Sequence, residues 1–582
     1  MKQGNSYFKK NLKAMASLYP GLARMGENLA VDIPSTWPDE PVGHAEREIE
    51  QRWCGQSELH VIYRFSAGNL ARQLFNQIQF TELSDPNHRR LLLVEDRPDF
   101  FYSALHQADW SVLIQSEICL LAVDYPDKNV LQRLLSRYPD IAFGSFSLYM
   151  GDPNPPEETR GRIASILLTT QTKIRDYARQ LIDTNNQKRS LPFPRSICFF
   201  CAGHNIFQDA CVRVFQRMGY GANRLKWKNP LYFFVRSSAW IRQLQEDSLD
   251  AILLFNATPK TFCRSSFLSG LRAQKITWFV DNPARYTARA CDFEGCDVIG
   301  VFDRTYIPYL KMRSQARIVE IRTGYGIDPT KAQAKEEFKP IPIAFVGELG
   351  TSGFLPVEHG LAQYAPELLD LATSVLKNLD ILEPVYISPI AETVFQSRGY
   401  PYYGPLVAYL ENKAASLRRR YYLDTLADKG LTIFGGKEWS GYYAGILRDC
   451  HAGRRIDYAE ELPALYASAK ININIFHVQS IAAPNPRVYD VLASGGFLLS
   501  TYNEGLEEEF EIGKDLVVFH NKEELRELVD YYLAHDHERE EIAQQGRKRV
   551  LAKCGYGDRM QEFLHAIQKP EGDRSPYVYL RG

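Results

Sequence analysis

Asn485-Pro486-Arg487-Val488-Tyr489-Asp490-Val491-Leu492-Ala493-Ser494-Gly495-Gly496-Phe497-Leu498-Leu499 follows Ile471-Asn472-Ile473-Asn474-Ile475 across a short loop, and these two runs decide the fold. Ile471 to Ile475 and Phe497 to Leu499 read as short strands. Between them Pro486 suits the first turn of a helix. Gly495-Gly496 stops that helix, because glycine accepts the positive φ such a stop requires. Strand, helix and strand in this spacing form the repeating unit of a parallel α/β sheet.

The same unit recurs on both sides. Ile341 to Val346 is a strand ending in Gly347-Glu348-Leu349-Gly350, Leu431 to Phe434 ends in Gly435-Gly436, and helices at 522–534 and 537–553 follow the last strand. Before the charged connector Lys331 to Lys339 lies another series, with strands at 197–201, 251–255, 276–280, 298–302 and 318–321. A third set sits further upstream at 59–65, 91–94 and 118–123. A helix from Glu157 to about Asp183 and the polar, Pro-flanked stretch Thr184 to Pro194 mark a boundary. The expected class is α/β, with two Rossmann-like lobes preceded by a further α/β domain. The expected segments are 1–55 (helix and linker), 56–190 (accessory α/β domain), 191–335 (first lobe) and 336–582 (second lobe with C-terminal helices).

Bulk properties narrow the function. A chain of 582 residues exceeds what one core usually serves. With Lys+Arg at 69 against Asp+Glu at 70, no global electrostatic drive toward nucleic acid exists. The ten cysteines show no paired zinc knuckles, and Cys198-Phe-Phe-Cys201 lies inside an apolar strand, where Cys acts as a small hydrophobe. No metal site and no cofactor are expected. No uninterrupted apolar run is long enough to span a membrane, and nothing resembles a signal peptide, so the expected compartment is the cytoplasm.

The segment from Tyr458 through Ala469-Lys470, the strand 471–475 and the Asn485–Gly496 helix closely resemble the donor-binding domain of CgeB-like glycosyltransferases, where a strand precedes an N-x-R-x-(Y/F)-(E/D)-x-x-A-x-G-G helix. The resemblance covers residues 196 to 560. It implies a GT-B enzyme that moves a sugar from a nucleotide-sugar substrate to a hydroxyl on a protein or glycan acceptor, and with no Asp-x-Asp motif in a donor loop no obligatory metal is expected. Phe345-Val346-Gly347 matches the family's F-V-G segment, and Arg419, Tyr422, Leu423 and Leu426 match its R-x-x-Y-L-x-x-L helix. Residues 59 to 125, with Val94-Glu95-Asp96-Arg97-Pro98 and Leu105-His106-Gln107-Ala108-Asp109, more faintly resemble motility-associated flagellin glycosyltransferases. That likeness implies flagellin or another surface protein as acceptor.

On this reading the helix start at Asn485 receives the donor diphosphate, Arg487 adds charge-assisted hydrogen bonds, and Asp490 accepts from the ribose hydroxyls. In the family the ribose-binding acid is commonly Glu, so Asp490 is one methylene shorter. Gly347, Gly436, Lys437 and Trp439 complete the expected donor site, Trp439 flanking the nucleobase and Lys437 meeting the diphosphate. Glu504, in the run 503–509, is the acid expected to face the donor, the alternative being a solvated charged face. Asp281, in the turn after Trp278-Phe279-Val280, and His204, in the turn after 197–201, are the candidate bases. Asp281 serves equally well as an Asx-turn cap and His204 as surface. A nucleotide-binding scaffold without catalysis, or a nucleotide-sugar epimerase, are the competing classes. Donor base, sugar, stereochemistry and oligomeric state are not encoded in any single motif.

Overall fold

A computed structural model describes residues 2–16, 22–25, 44–53, 59–64, 68–84, 90–115, 119–123, 145–152, 158–188, 196–201, 206–225, 244, 249–259, 270–286, 293, 295–338, 341–364, 366–378 and 403–568. Its strands are β1 (Leu59–Tyr63), β2 (Arg90–Glu95), β3 (Cys119–Val123), β4 (Phe146–Met150), β5 (Ser196–Cys201), β6 (Gly221–Leu225), β7 (Ala251–Phe255), β8 (Gln274–Phe279), β9 (Val298–Val301), β10 (Arg317–Glu320), β11 (Ile341–Val346), β12 (Leu431–Phe434), β13 (Ala469–Asn474), β14 (Leu498–Thr501) and β15 (Val517–Phe519). The expected strands are present to within a residue or two. β4, β6 and β15 are additional. Their sequences are short or partly polar, and they carry little periodic signal of their own.

The chain divides into two compact units, residues 1–204 with 223–275, and residues 205–222 with 276–582. In the first, four parallel strands lie in the order β3-β2-β1-β4. β1, β2 and β3 are buried along their whole length, as parallel strands covered by helices on both faces must be. β5 and β7 form a further parallel pair.

In the second unit β8, β9 and β10 pair in parallel. The C-terminal sheet is also parallel, with the order β12-β11-β13-β14-β15. An α/β class with successive Rossmann-like sheets is therefore what the structure has. The helix Pro486–Ala493 connects β13 to β14. Asn485 caps it by accepting the Val488 N–H, and Pro486 occupies its first turn. It stops where Gly495, at φ 78°, lets the Gly495 and Gly496 N–H groups reach the carbonyls of Leu492 and Val491 at 2.9 and 3.0 Å.

Candidate active site

The chemistry of the second unit gathers at the carboxyl ends of β8, β11, β12 and β13, where an open α/β sheet presents its loops. Asn474, the last residue of β13, is fully buried. Its Oδ1 accepts from Asn485 Nδ2 at 3.0 Å and from Arg487 Nη1 at 2.8 Å, and its Nδ2 donates to Ser500 Oγ at 2.9 Å. One asparagine thus fixes both the cap and the arginine of the following helix. The Arg487 guanidinium lies over the Phe345 ring, 5.1 Å from its centroid, and also bonds Tyr466. Gly347 makes room for it, since a Cβ there would come within 2.8 Å of Arg487 Nη2.

A second arginine approaches the same turn. Arg419, on the helix Tyr403–Leu423, donates from Nη1 to the Glu348 carbonyl at 2.7 Å. Burial, and then the neighbouring Arg487 charge, push its pKa down to about 10. Neither Arg419 nor Arg487 forms an ion pair with a carboxylate among the described residues. Glu348 is paired with Arg455 at 2.7 Å and accepts the Gly436 N–H at 2.9 Å. Glu438 is taken by the start of the helix Thr351–Tyr364, accepting from Gly350 N (2.9 Å), Thr351 Oγ (2.7 Å) and Ser352 N (3.3 Å).

The same long helix carries Glu411, 1% exposed, two turns before Arg418. Glu411 pairs with Arg285 and accepts from Asn282 Nδ2 at 2.6 Å. Burial works against the Arg285 charge, but Glu411 and then Asp281 more than offset it, and its pKa is raised. His477, in the loop after β13, is held neutral far below its usual range by burial first and then by Arg285, Arg419 and Arg418. The charges of Arg285, Arg419 and Arg418 thus act on one imidazole, and Glu411 is the buried carboxylate that engages Arg285. Burying guanidinium groups without matching carboxylates costs several kcal/mol each, and a bound anion with many acceptor oxygens removes that cost.

The residues expected from sequence are only partly brought together here. Gly347 and Arg487 meet, and Asn485 is joined to them through Asn474. Asp490 points elsewhere: it is 2% exposed, and its oxygens accept from Gly326 N at 3.0 Å and Tyr458 Oη at 2.9 Å, which leaves it committed to Tyr458 and to the segment between β10 and β11. Trp439 is fully buried, and its Nε1 donates to the Gly347 carbonyl at 2.7 Å, so its ring packs in the core and is not presented to a base. Lys437 is exposed beside Gly436. Glu504, its side chain 55% exposed, pairs with Arg304 at 3.1 Å, while Glu508 pairs with Arg304 and Arg322 and Glu509 pairs with Arg322 and Arg559. The acidic run 503–509 is a network of ion pairs. Asp281 accepts from Gln479 Nε2 at 2.7 Å and Tyr286 Oη at 3.2 Å. His204 lies outside the described residues.

Residues 418–565 match the family model described as Glycosyl transferase-like. The match opens on Arg418 and Arg419 and includes His477 and Arg487. No curated protein matches the chain. Among solved structures it resembles sucrose-phosphate synthase from Thermosynechococcus elongatus (12% identity, 64% of this chain and 99% of that one, TM-score 0.41). It also resembles a glycosyltransferase from Rickettsia africae (12%, 65% and 98%, TM-score 0.37), and HepE from Anabaena in complex with UDP and glucose (10%, 64% and 99%, TM-score 0.39).

Arg285, Glu411, Arg418, His477 and Gln479 did not stand out as site residues in the sequence. Glu411 and Arg418 are seven residues apart, on one face of a helix, and that spacing was the available signal. His477 carried none, being a lone histidine in the largely apolar loop Phe476 to Pro484. Among the described residues no group of three or more His, Cys, Asp or Glu could hold a metal, and no helix is long and apolar enough to cross a membrane.

Proposed function

We propose that this chain is a CgeB-like GT-B glycosyltransferase that moves a sugar from a nucleotide-sugar donor to a hydroxyl acceptor, with no obligatory metal, in the cytoplasm. The observation that carries the reading is the pair of guanidinium groups at residues 419 and 487, which form no ion pair with a carboxylate among the described residues, converge on the turn after β11 and lie inside the segment matched as glycosyl transferase-like. A nucleoside diphosphate supplies the missing negative charge and the acceptor oxygens, and the arginines stabilise the charge that grows on it as the sugar leaves. In this reading Arg419 and Arg487 hold the diphosphate, and Asp490 holds the segment between β10 and β11 against the helix. The acceptor is a surface protein such as flagellin, or a glycan, presented with the help of the N-terminal unit. Titration calorimetry with UDP, GDP and ADP, with and without chelator, tests the proposal. Micromolar to millimolar binding of one of them that is insensitive to chelator is expected, and no binding of any of the three rules it out.

A further inference from the structure

The loop after β13 holds its imidazole with unusual definition. Gln479 N–H donates to His477 Nδ1 at 3.3 Å, and Ser480 N–H donates to the His477 carbonyl at 2.9 Å. Gln479 is in turn fixed on three sides. Its Oε1 accepts the Asn282 N–H at 3.2 Å, its Nε2 donates to Asp281 Oδ1 at 2.7 Å, and its carbonyl accepts from Tyr306 Oη at 2.7 Å. The next two N–H groups, of Ile481 and Ala482, donate to Asp303 Oδ2 at 2.8 and 2.7 Å. Because Nδ1 is an acceptor, the single ring proton of the neutral imidazole sits on Nε2. Nε2 has no hydrogen-bond partner among the described residues, and the charges of Arg285, Arg419 and Arg418 act on the ring.

We propose that His477, as its Nε2–H tautomer, is a catalytic hydrogen-bond donor to the diphosphate oxygen that departs from the sugar, an assignment that rests on the donor-site reading above. In the step, the bond between the anomeric carbon and the β-phosphate oxygen breaks and its electron pair stays on that oxygen. The acceptor hydroxyl oxygen bonds to the anomeric carbon, and its proton is taken up by the departing diphosphate. His477 keeps its proton throughout. A neutral donor suits a pocket already crowded with cations, because it stabilises the growing negative charge without adding repulsion among the arginines. Its position is preset by Gln479, so no reorganisation is needed as charge develops.

The test compares the wild-type chain with His477→Ala and His477→Gln, whose side-chain amide N–H reaches about as far as the imidazole Nε2–H. Probes are UDP-, GDP- and ADP-glucose, read as diphosphate release, and the matching diphosphates in titration calorimetry. The expected result is a kcat lowered about 30- to 100-fold in the alanine variant, with the diphosphate Kd changed less than about threefold and kcat restored to within about tenfold by glutamine. Unchanged kcat in His477→Ala, with diphosphate binding intact, overturns the assignment alone. So does an equal loss in both variants with a lowered Tm, which marks a structural histidine, and so does diphosphate binding by the wild type without turnover of any conjugate. Failure of the wild type to bind any diphosphate removes the donor-site reading and this inference together.

Discussion

The Asp490 carboxylate accepts the N–H of Gly326, 164 residues earlier in the chain, at 3.0 Å. Its other oxygen accepts from Tyr458 Oη at 2.9 Å. An acid expected from sequence to face a ligand is thereby the anchor of the segment that joins β10 to β11. Burial dominates its titration and raises its pKa to about 7, against the opposing pull of these hydrogen bonds and of Arg487.

That shift predicts a pH signature in stability. The unfolded value is 3.8 and the folded value about 7, so the native state binds more protons across this interval and stability falls as pH rises through it. The full effect has a ceiling of about 4 kcal/mol at roughly 1.4 kcal/mol per unit. Asp490→Asn keeps an acceptor and removes the titration. The difference in Tm, variant minus wild type, is therefore expected to grow between pH 5 and 8 in thermal melts, and a difference constant with pH contradicts the prediction.

Glu411, which is buried, is the counter-charge of Arg285, which is mostly buried. Replacing it with glutamine leaves a guanidinium without its carboxylate, at a cost of about 3–5 kcal/mol. The double variant Glu411→Leu with Arg285→Met removes both charges and should recover most of that loss. Chemical denaturation of the three proteins measures it, and a single variant as stable as the wild type would show that the pair has no net role.

Two helical glycines should respond with opposite sign. A Cβ on Gly546 would sit 2.8 Å from Leu492 Cδ2 and against the Asp515 carbonyl, where the helix Asp536–Lys553 meets the helix Pro486–Ala493. Gly546→Ala should therefore destabilise by about 1–3 kcal/mol. At Gly360, within the helix Thr351–Tyr364, a Cβ would meet nothing within 4 Å. Gly360→Ala should stabilise by about 0.5–1 kcal/mol. Denaturant midpoints at constant slope decide both.

The parallel sheets were legible because buried strands such as Ala251–Phe255 are continuous apolar runs, and the helix 486–493 because cap, proline and paired glycines are local signals. Side-chain direction is not local. Asp490 and Arg487 share one short helix, but only the tertiary positions of Gly326, Tyr458 and Asn474 decide what each meets. The arginines were hidden for the same reason, since Arg285, Arg419 and Arg487 come from three separate segments. Trp439 misled because a tryptophan beside a glycine turn reads the same whether its ring lies in the core or in a cleft. Its complete burial comes from packing edge-on to Phe345, with ring centroids 6.0 Å apart.

Arg419 offers the sharpest separation between a binding residue and a structural one. Its guanidinium donates to one carbonyl, that of Glu348, and the Arg487 charge works against its own. The folded protein stabilises the charged form less than water does, so removing the charge should not weaken the fold. Arg419→Met keeps most of the apolar stem, and its Tm is expected to equal or exceed that of the wild type. The diphosphate, in contrast, loses a charge-assisted hydrogen bond of about 1.5–3 kcal/mol, a tenfold to hundredfold rise in Kd. The wild-type affinity should also fall with added salt, and less steeply in the variant, because one cation fewer faces the anion. Melts and nucleotide titrations on the same preparations read both quantities. A lowered Tm with unchanged Kd would instead make Arg419 a strut that fixes the turn after β11, and would move the anion site away from this helix.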